Sequence, residues 1–195
     1  MLTRRRCLAA ITSCAFSPWI TAETRDDTSI RLRAFLERTI ASSDSFPDRY
    51  AAEVWLVDMS SRLAPFISDA AQRLQLLRLV HRAATRSDLP PELVLSVIEV
   101  ESTFNRYAVS RAGAQGLMQV MPFWRREIGR PGDNLTENAT NLDYGCRILQ
   151  FYIERENGHL HRALAAYNGS SGSRRYSNKV YRAWQARWRT APLPW

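Results

Sequence analysis

Two glutamates, Glu99 and Glu101, stand two residues apart in the apolar stretch VIEVESTFN (97–105). Carboxyls so close in sequence suggest an acid–base pair, one group giving a proton and the other taking one. Helical geometry separates them, because a step of two residues turns a helix by about 200°. Between Pro91 and Phe104, Val94, Val97, Ile98 and Glu101 share one face, whereas Glu92, Ser96, Glu99 and Thr103 fall on the opposite side. Glu99 is therefore expected on a solvated face and Glu101 on the apolar one. An ionised carboxylate on a buried stripe is costly. Either an arginine neutralises Glu101 in a structural pair, or its pKa rises and it keeps a proton. Only the second arrangement makes a general acid at neutral pH. Periodicity by itself leaves both open.

Other titratable residues offer less. Asp133 and Glu137 lie in a polar loop and at a helix start, with Asp143 just beyond, where carboxylates serve capping and dipole roles. His159 and His161 have no convincing further ligands. They are expected to be exposed, and neither a metal nor a cofactor is expected.

The elements that position these residues read as helices. There is no strand-like alternation of any length and no repeat. Helices are expected over 29–41, 48–64 (ended by Pro65) and 68–86, the last with Leu74, Leu77 and His81 on one face. Pro90 and Pro91 suit the first turn of the helix that carries the glutamates. The texture then changes. AVSRAGAQGLMQVMP (108–122) is rich in Gly, Ala, Ser and Gln and reads as a compact loop with short extended pieces. Pro122 can start a short helix through Ile128. A longer helix over 137–156 carries Leu142, Cys146, Leu149 and Ile153, and a short one over 160–167 ends at YNGSSGS. A last helix over 177–189 presents Val180, Tyr181, Trp184 and Trp188. The expected fold class is all-α, α+β at most, with no more than a small β-hairpin region.

Composition narrows the setting. The chain has 195 residues and 45% hydrophobic content, enough for one domain with a core. Its net charge is +8, and Lys179 is its only lysine. Such a balance suits an anionic partner: nucleic acid, acidic lipid or a cell-wall polymer. The N-terminus, MLTRRRCLAAITSCAFSPWITAETR, has a basic head, an apolar run too short for a good membrane span, and a small-residue site after Ala22. Residues 1–22 therefore read as a cleaved secretory signal peptide, and export argues against nucleic acid as the partner. A lipoprotein site at Cys14 is the less favoured processing route. Cleavage removes Arg4, Arg5, Arg6, Cys7 and Cys14 and leaves Cys146 as the lone cysteine. An exported chain without an internal disulfide points to a bacterial envelope.

Four stretches carry a resemblance. ESTF (101–104), AVSRAGAQGLMQVMP (108–122), NLDYGCRIL (141–149) and LAAYNG (164–169) occur in the order and spacing of soluble lytic transglycosylases. Over residues 88–182 the chain resembles that family, whose fold is the goose-type lysozyme-like one. The implied layout is a leader (1–22), an N-terminal helical segment (23–87) and a transglycosylase domain (88–195). The implied substrate is the glycan strand of peptidoglycan, cut at the β-1,4 bond between N-acetylmuramic acid and N-acetylglucosamine with closure of a 1,6-anhydro ring. Glu101 matches the family's single catalytic glutamate, acid first and base second, so no second carboxylate is needed, unlike in ordinary glycosidases.

By the same matching, Tyr167 would place its hydroxyl near Glu101. Ser110 and Gln119 would hydrogen-bond the sugars, and Met121 would shape the apolar floor, with Met118 favoured for the core. Asn168 would brace its loop beside the substrate, and Gly113 and Gly116 would let the backbone approach the saccharide. Two departures stand out. Ile148-Leu149 replaces a common Tyr-Leu, leaving Tyr144 or Tyr152 as substitutes for a glycan contact. GSRRY (172–176) replaces an acidic ETR. Arg174 and Arg175 either bind the carboxylates of stem peptides or form a solvated turn. The resemblance implies a monomer acting in the periplasm, in wall turnover or for an envelope-spanning secretion or conjugation apparatus. The rival readings are a hydrolytic muramidase on the same fold and a wall-binding assembly factor.

Overall fold

Residues 49–190 are described by the computed structural model; the leader assigned to 1–22 and the helix expected over 29–41 lie outside the described residues. Seven α-helices follow in order: α1 (Arg49–Leu63), α2 (Ala70–Arg86), α3 (Pro91–Ser102), α4 (Trp124–Ile128), α5 (Asn138–Arg155), α6 (Leu160–Tyr167) and α7 (Arg175–Ala183). A π-helical turn, Trp184–Trp188, continues α7. Among the described residues there is no strand. Two isolated antiparallel bridges, Val109 with Gln115 and Gln115 with Val120, are the short extended pieces of the 108–122 loop.

The boundaries follow from local chemistry. Asp69 caps α2 by accepting the N–H of Gln72 at 2.7 Å. Pro91 opens α3 at a position where the missing N–H is an orphan in any case. Glu137 caps α5 through the N–H groups of Ala139 (3.0 Å) and Thr140 (2.6 Å).

Helix α3 is the axis of the fold. It packs against α2, α7 and the π-helical turn, and every residue from Leu93 to Ile98 is buried. Burying Val94, Val97 and Ile98 contributes roughly 1.5–3 kcal/mol each. The face expected to be wet is covered as well. Ser96 is fully buried and donates to the carbonyl of Glu92 at 2.6 Å. Glu92 accepts the indole N–H of Trp55 from α1 at 2.7 Å. Glu99 accepts from Trp188 Nε1 at 2.7 Å and from Arg187 Nε at 3.2 Å. Glu99 is thus not a solvated surface residue. Elements distant in sequence fold over its side of the helix, and it anchors one of them.

The end of α3 is sharply turned. Thr103 and Phe104 both have left-handed φ, 51° and 62°, costly for a β-branched and an aromatic residue. Packing holds the turn in place. The Phe104 ring is buried 4.9 Å from Phe66 and 5.5 Å from Trp188, centroid to centroid. Two residues upstream of this turn stands Glu101.

Candidate active site

The 108–122 loop lies against α3 and α5 and is held by named bonds. Gln115 and Val120 exchange both backbone hydrogen bonds at 2.9 Å. Ser102, at the end of α3, donates to Leu117 O at 2.8 Å. Buried Asn141, in the first turn of α5, accepts from Met118 N (2.8 Å) and donates to Gln115 O (2.8 Å) and Leu135 O (2.7 Å). Gly116, at φ 77°, lies so close that a Cβ would come within 2.4 Å of Asn141 Nδ2 and of Leu135 O. Its freedom serves loop-to-helix packing. A Cβ on Gly113 would meet nothing within 4 Å, and the residue turns the chain at φ 86°.

Glu101 lies in a cleft of about 260 Å³ lined also by Val100, Asn168, Ser170, Arg175, Tyr176 and Lys179. Its Oε1 accepts the hydroxyl of Tyr176, from the first turn of α7, at 2.7 Å. Burial raises its pKa to about 7, against the opposing pull of that hydrogen bond. No arginine ion-pairs with Glu101 among the described residues. Of the two arrangements open to a carboxyl on this stripe, the structure has the one that keeps a proton.

The other carboxylates have structural partners. The Tyr144 hydroxyl and the Arg130 N–H hold Asp133 below its ordinary range. Burial opposes ionisation of Glu137, but the amides of Thr140 and Ala139 that it caps outweigh this and lower its pKa. Asp143 pairs with Arg86 (3.2 Å) and Arg147 (3.5 Å).

The remaining expected site residues divide into two groups. Asn168 is exposed and shares the Glu101 cleft. Tyr167 points its hydroxyl at Met118 O, 2.7 Å away. Burial, and then the nearby Glu101 charge, push its pKa well up. Tyr167 therefore sits next to the acid while bracing the loop. Ser110, Gln119 and Met121 belong to that loop and do not line this cleft. Ser110 Oγ accepts Ala114 N at 3.0 Å. The Gln119 side-chain amide donates to Ala108 O (3.1 Å) and Gly116 O (2.9 Å). Met121 is half-buried, and Met118 is in the core. Tyr144 is buried and committed to Asp133. His161 is not exposed as expected: it stacks on Tyr181 at 4.2 Å and meets Ser177 Oγ at 3.0 Å.

Tyr176 and Asn141 were not among the expected site residues, yet both positions carry a signal. Tyr176 extends the Val180 and Trp184 stripe one turn back, and Asn141 is a polar residue on the buried side of α5.

The transglycosylase SLT domain family matches residues 78–188, more than half of the chain. The chain belongs to this family. The match begins within α2, upstream of residue 88, and takes in every element around Glu101. Membrane-bound lytic murein transglycosylase C of Actinobacillus pleuropneumoniae serotype 5b is 36% identical over an alignment 115 residues long that covers 51% of this chain and 32% of the relative. The protein of the same name from Pectobacterium atrosepticum is 33% identical over an alignment 113 residues long that covers 50% of this chain and 32% of the relative. The chain thus spans about a third of the length of these curated relatives. Lytic transglycosylase Slt from Pseudomonas aeruginosa aligns with a TM-score of 0.45 at 22% identity, covering 74% of this chain and 31% of that one. Among the described residues no helix is long and apolar enough to cross a membrane.

Proposed function

We propose that this SLT-domain protein is a peptidoglycan lytic transglycosylase that cleaves the β-1,4 bond between N-acetylmuramic acid and N-acetylglucosamine. The observation that carries the reading is Glu101, a carboxyl whose pKa burial raises to about 7 and, among the described residues, the only carboxyl lining its cleft. Protonated, it gives its proton to the glycosidic oxygen as the C1–O bond breaks. Ionised by that transfer, it takes the proton of the muramoyl C6 hydroxyl as that oxygen bonds to C1. The proton is returned, no water is consumed, and the product is a 1,6-anhydro ring. A hydrolase of the usual kind needs a second carboxylate for a water or a nucleophile.

Catalytic roles go to Glu101 and to Tyr167, whose pKa the charge of Glu101 helps to raise and whose hydroxyl braces the loop at Met118 O. Ser110, Gln119 and Met121 would contact the strand from the loop, and Asn168 from the cleft. The relatives are lytic murein transglycosylases by name, which supports the same assignment. We assign residues 88–195 to the transglycosylase domain, 23–87 to a helical extension and 1–22 to a leader that delivers a monomer to the periplasm. There the reaction suits wall turnover and, equally, opening the wall for an envelope-spanning secretion or conjugation apparatus.

Digestion of purified peptidoglycan followed by mass spectrometry tests the reading. Muropeptides lighter by one water, with anhydro ends, are expected; reducing ends would make the protein a hydrolase. Undiminished lysis by Glu101→Gln would remove Glu101 from the chemistry altogether.

A further inference from the structure

The two adjacent arginines that replace the acidic ETR part company in the fold. Arg174 precedes α7 and lines a separate depression with His161, Glu156 and Arg162. Arg175 lines the cleft that holds Glu101, together with Lys179 one helical turn on. Arg175 and Lys179 stand at i and i+4, on the same side of α7. Both are exposed, and neither forms an ion pair among the described residues. Tyr176, between them in sequence, turns inward to Glu101. The cleft thus presents two unpaired cations on one wall, with the hydroxyls of Ser170 and Ser173 beside them.

A neutral sugar chain offers such a wall no charge to pair with. The glycan backbone of N-acetylated hexosamines carries no charge. The anionic groups of a peptidoglycan strand are carboxylates on the muramoyl side: those of the stem peptide or, where the peptide has been removed, that of the lactyl ether. We propose that Arg175 and Lys179 form a carboxylate-recognition subsite that selects muramoyl residues bearing an ionised substituent, seating it beside the bond that Glu101 cleaves. The inference rests on the function proposed above. Arg175 supplies a fork matched to a carboxylate, and Lys179 supplies a mobile point charge.

The test compares the full chain with Arg175→Gln/Lys179→Gln and with Arg175→Lys. KM and kcat are measured on peptide-bearing strands and on strands stripped by an amidase, which keep a free lactyl carboxylate. A neutral chitin tetrasaccharide is titrated calorimetrically as the uncharged probe. The double variant is expected to raise KM about fivefold to tenfold on a carboxylate-bearing strand, with kcat within about twofold, since exposed charge contacts are individually modest. Tetrasaccharide binding should be unchanged. Arg175→Lys keeps both charges but not the fork, so its KM should fall between those of the wild type and the double variant, and added salt should weaken wild-type recognition more than that of the double variant. A KM rise on peptide-bearing strands alone assigns the subsite to the stem peptide; a rise on stripped strands alone assigns it to the lactyl group. KM unchanged on both strands, or an equal loss of tetrasaccharide binding, overturns the subsite. Neither result touches the transglycosylase reading, which stands or falls on anhydro products from the wild type and on Glu101→Gln.

Discussion

The Tyr176 hydroxyl donates to Glu101 Oε1 at 2.7 Å, joining residues 75 apart in the chain. That bond fixes one carboxyl oxygen and leaves the other for the cleft. It also favours the ionised form, working against the burial that raises the pKa of the acid to about 7. Tyr176→Phe should therefore shift the alkaline limb of the pH–rate profile to higher pH. It should also lower kcat by on the order of tenfold, because the carboxyl is less well oriented. A pH–rate profile of the variant decides this; a limb that moves to lower pH would contradict the geometry.

Glu101 also carries a stability signature. Its pKa is raised on folding, so the native state holds a proton that the unfolded chain gives up near pH 4.5. The associated stability is present in full below that pH and is lost as pH rises toward 7. Glu101→Gln removes the dependence. The variant should gain on the wild type progressively between pH 4.5 and 7, reaching roughly 1–3 kcal/mol, and hold that advantage above. Urea melts at a series of pH values measure it, and a gain that is flat with pH would show that burial does not perturb the acid.

Glu99 should behave in the opposite way. Replacing it by alanine leaves the Trp188 indole N–H, on a fully buried side chain, without its acceptor. The expected cost is about 1–3 kcal/mol. Activity per folded molecule should change little, because Glu99 does not line the Glu101 cleft. Thermal melts beside specific activity separate the two effects.

Asn141 and Gly116 test the loop. Asn141→Leu deletes three hydrogen bonds to residues 115, 118 and 135. Gly116→Ala drives a Cβ into Asn141 and Leu135 at a backbone angle that disfavours side chains. Each should destabilise by about 2–4 kcal/mol. Each should also lower activity, because the Tyr167 hydroxyl rests on Met118 O in this loop. Amide exchange at residues 115–120 should speed up in both variants. Unaltered exchange would mean that the loop is held by something else.

Most of the helical layout was legible in the sequence because its punctuation is local. Pro65, Pro90, Pro91 and the glycine–serine stretch after Tyr167 mark ends that the chain obeys, and the 108–122 loop departs from helical texture over a long run. The Glu101 face was legible too, since a 3.6-residue period places it with Val94, Val97 and Ile98. What failed were statements about the far side of a helix. Ser96, Glu99 and His161 have polar side chains, and periodicity assigns such residues to water. Each in fact meets a partner from elsewhere in the chain or from the preceding turn.

The sequence by itself determined that the chain is helical, that Glu101 rather than Glu99 lies on the Val94–Ile98 face, and which motifs lie on which element. These depend on periods, caps and breakers, all of which act within a few residues. Only the tertiary structure decided the state of that acid. Its pKa depends on how much water the surrounding helices exclude and on a hydroxyl that α7 delivers to it. The tertiary structure also decided that Glu99 is an anchor, that Tyr167 leans on Met118, and that Arg175 faces the cleft while Arg174 does not. Burial and hydrogen bonding between distant segments are properties of the packed helices, and no window of the chain contains them.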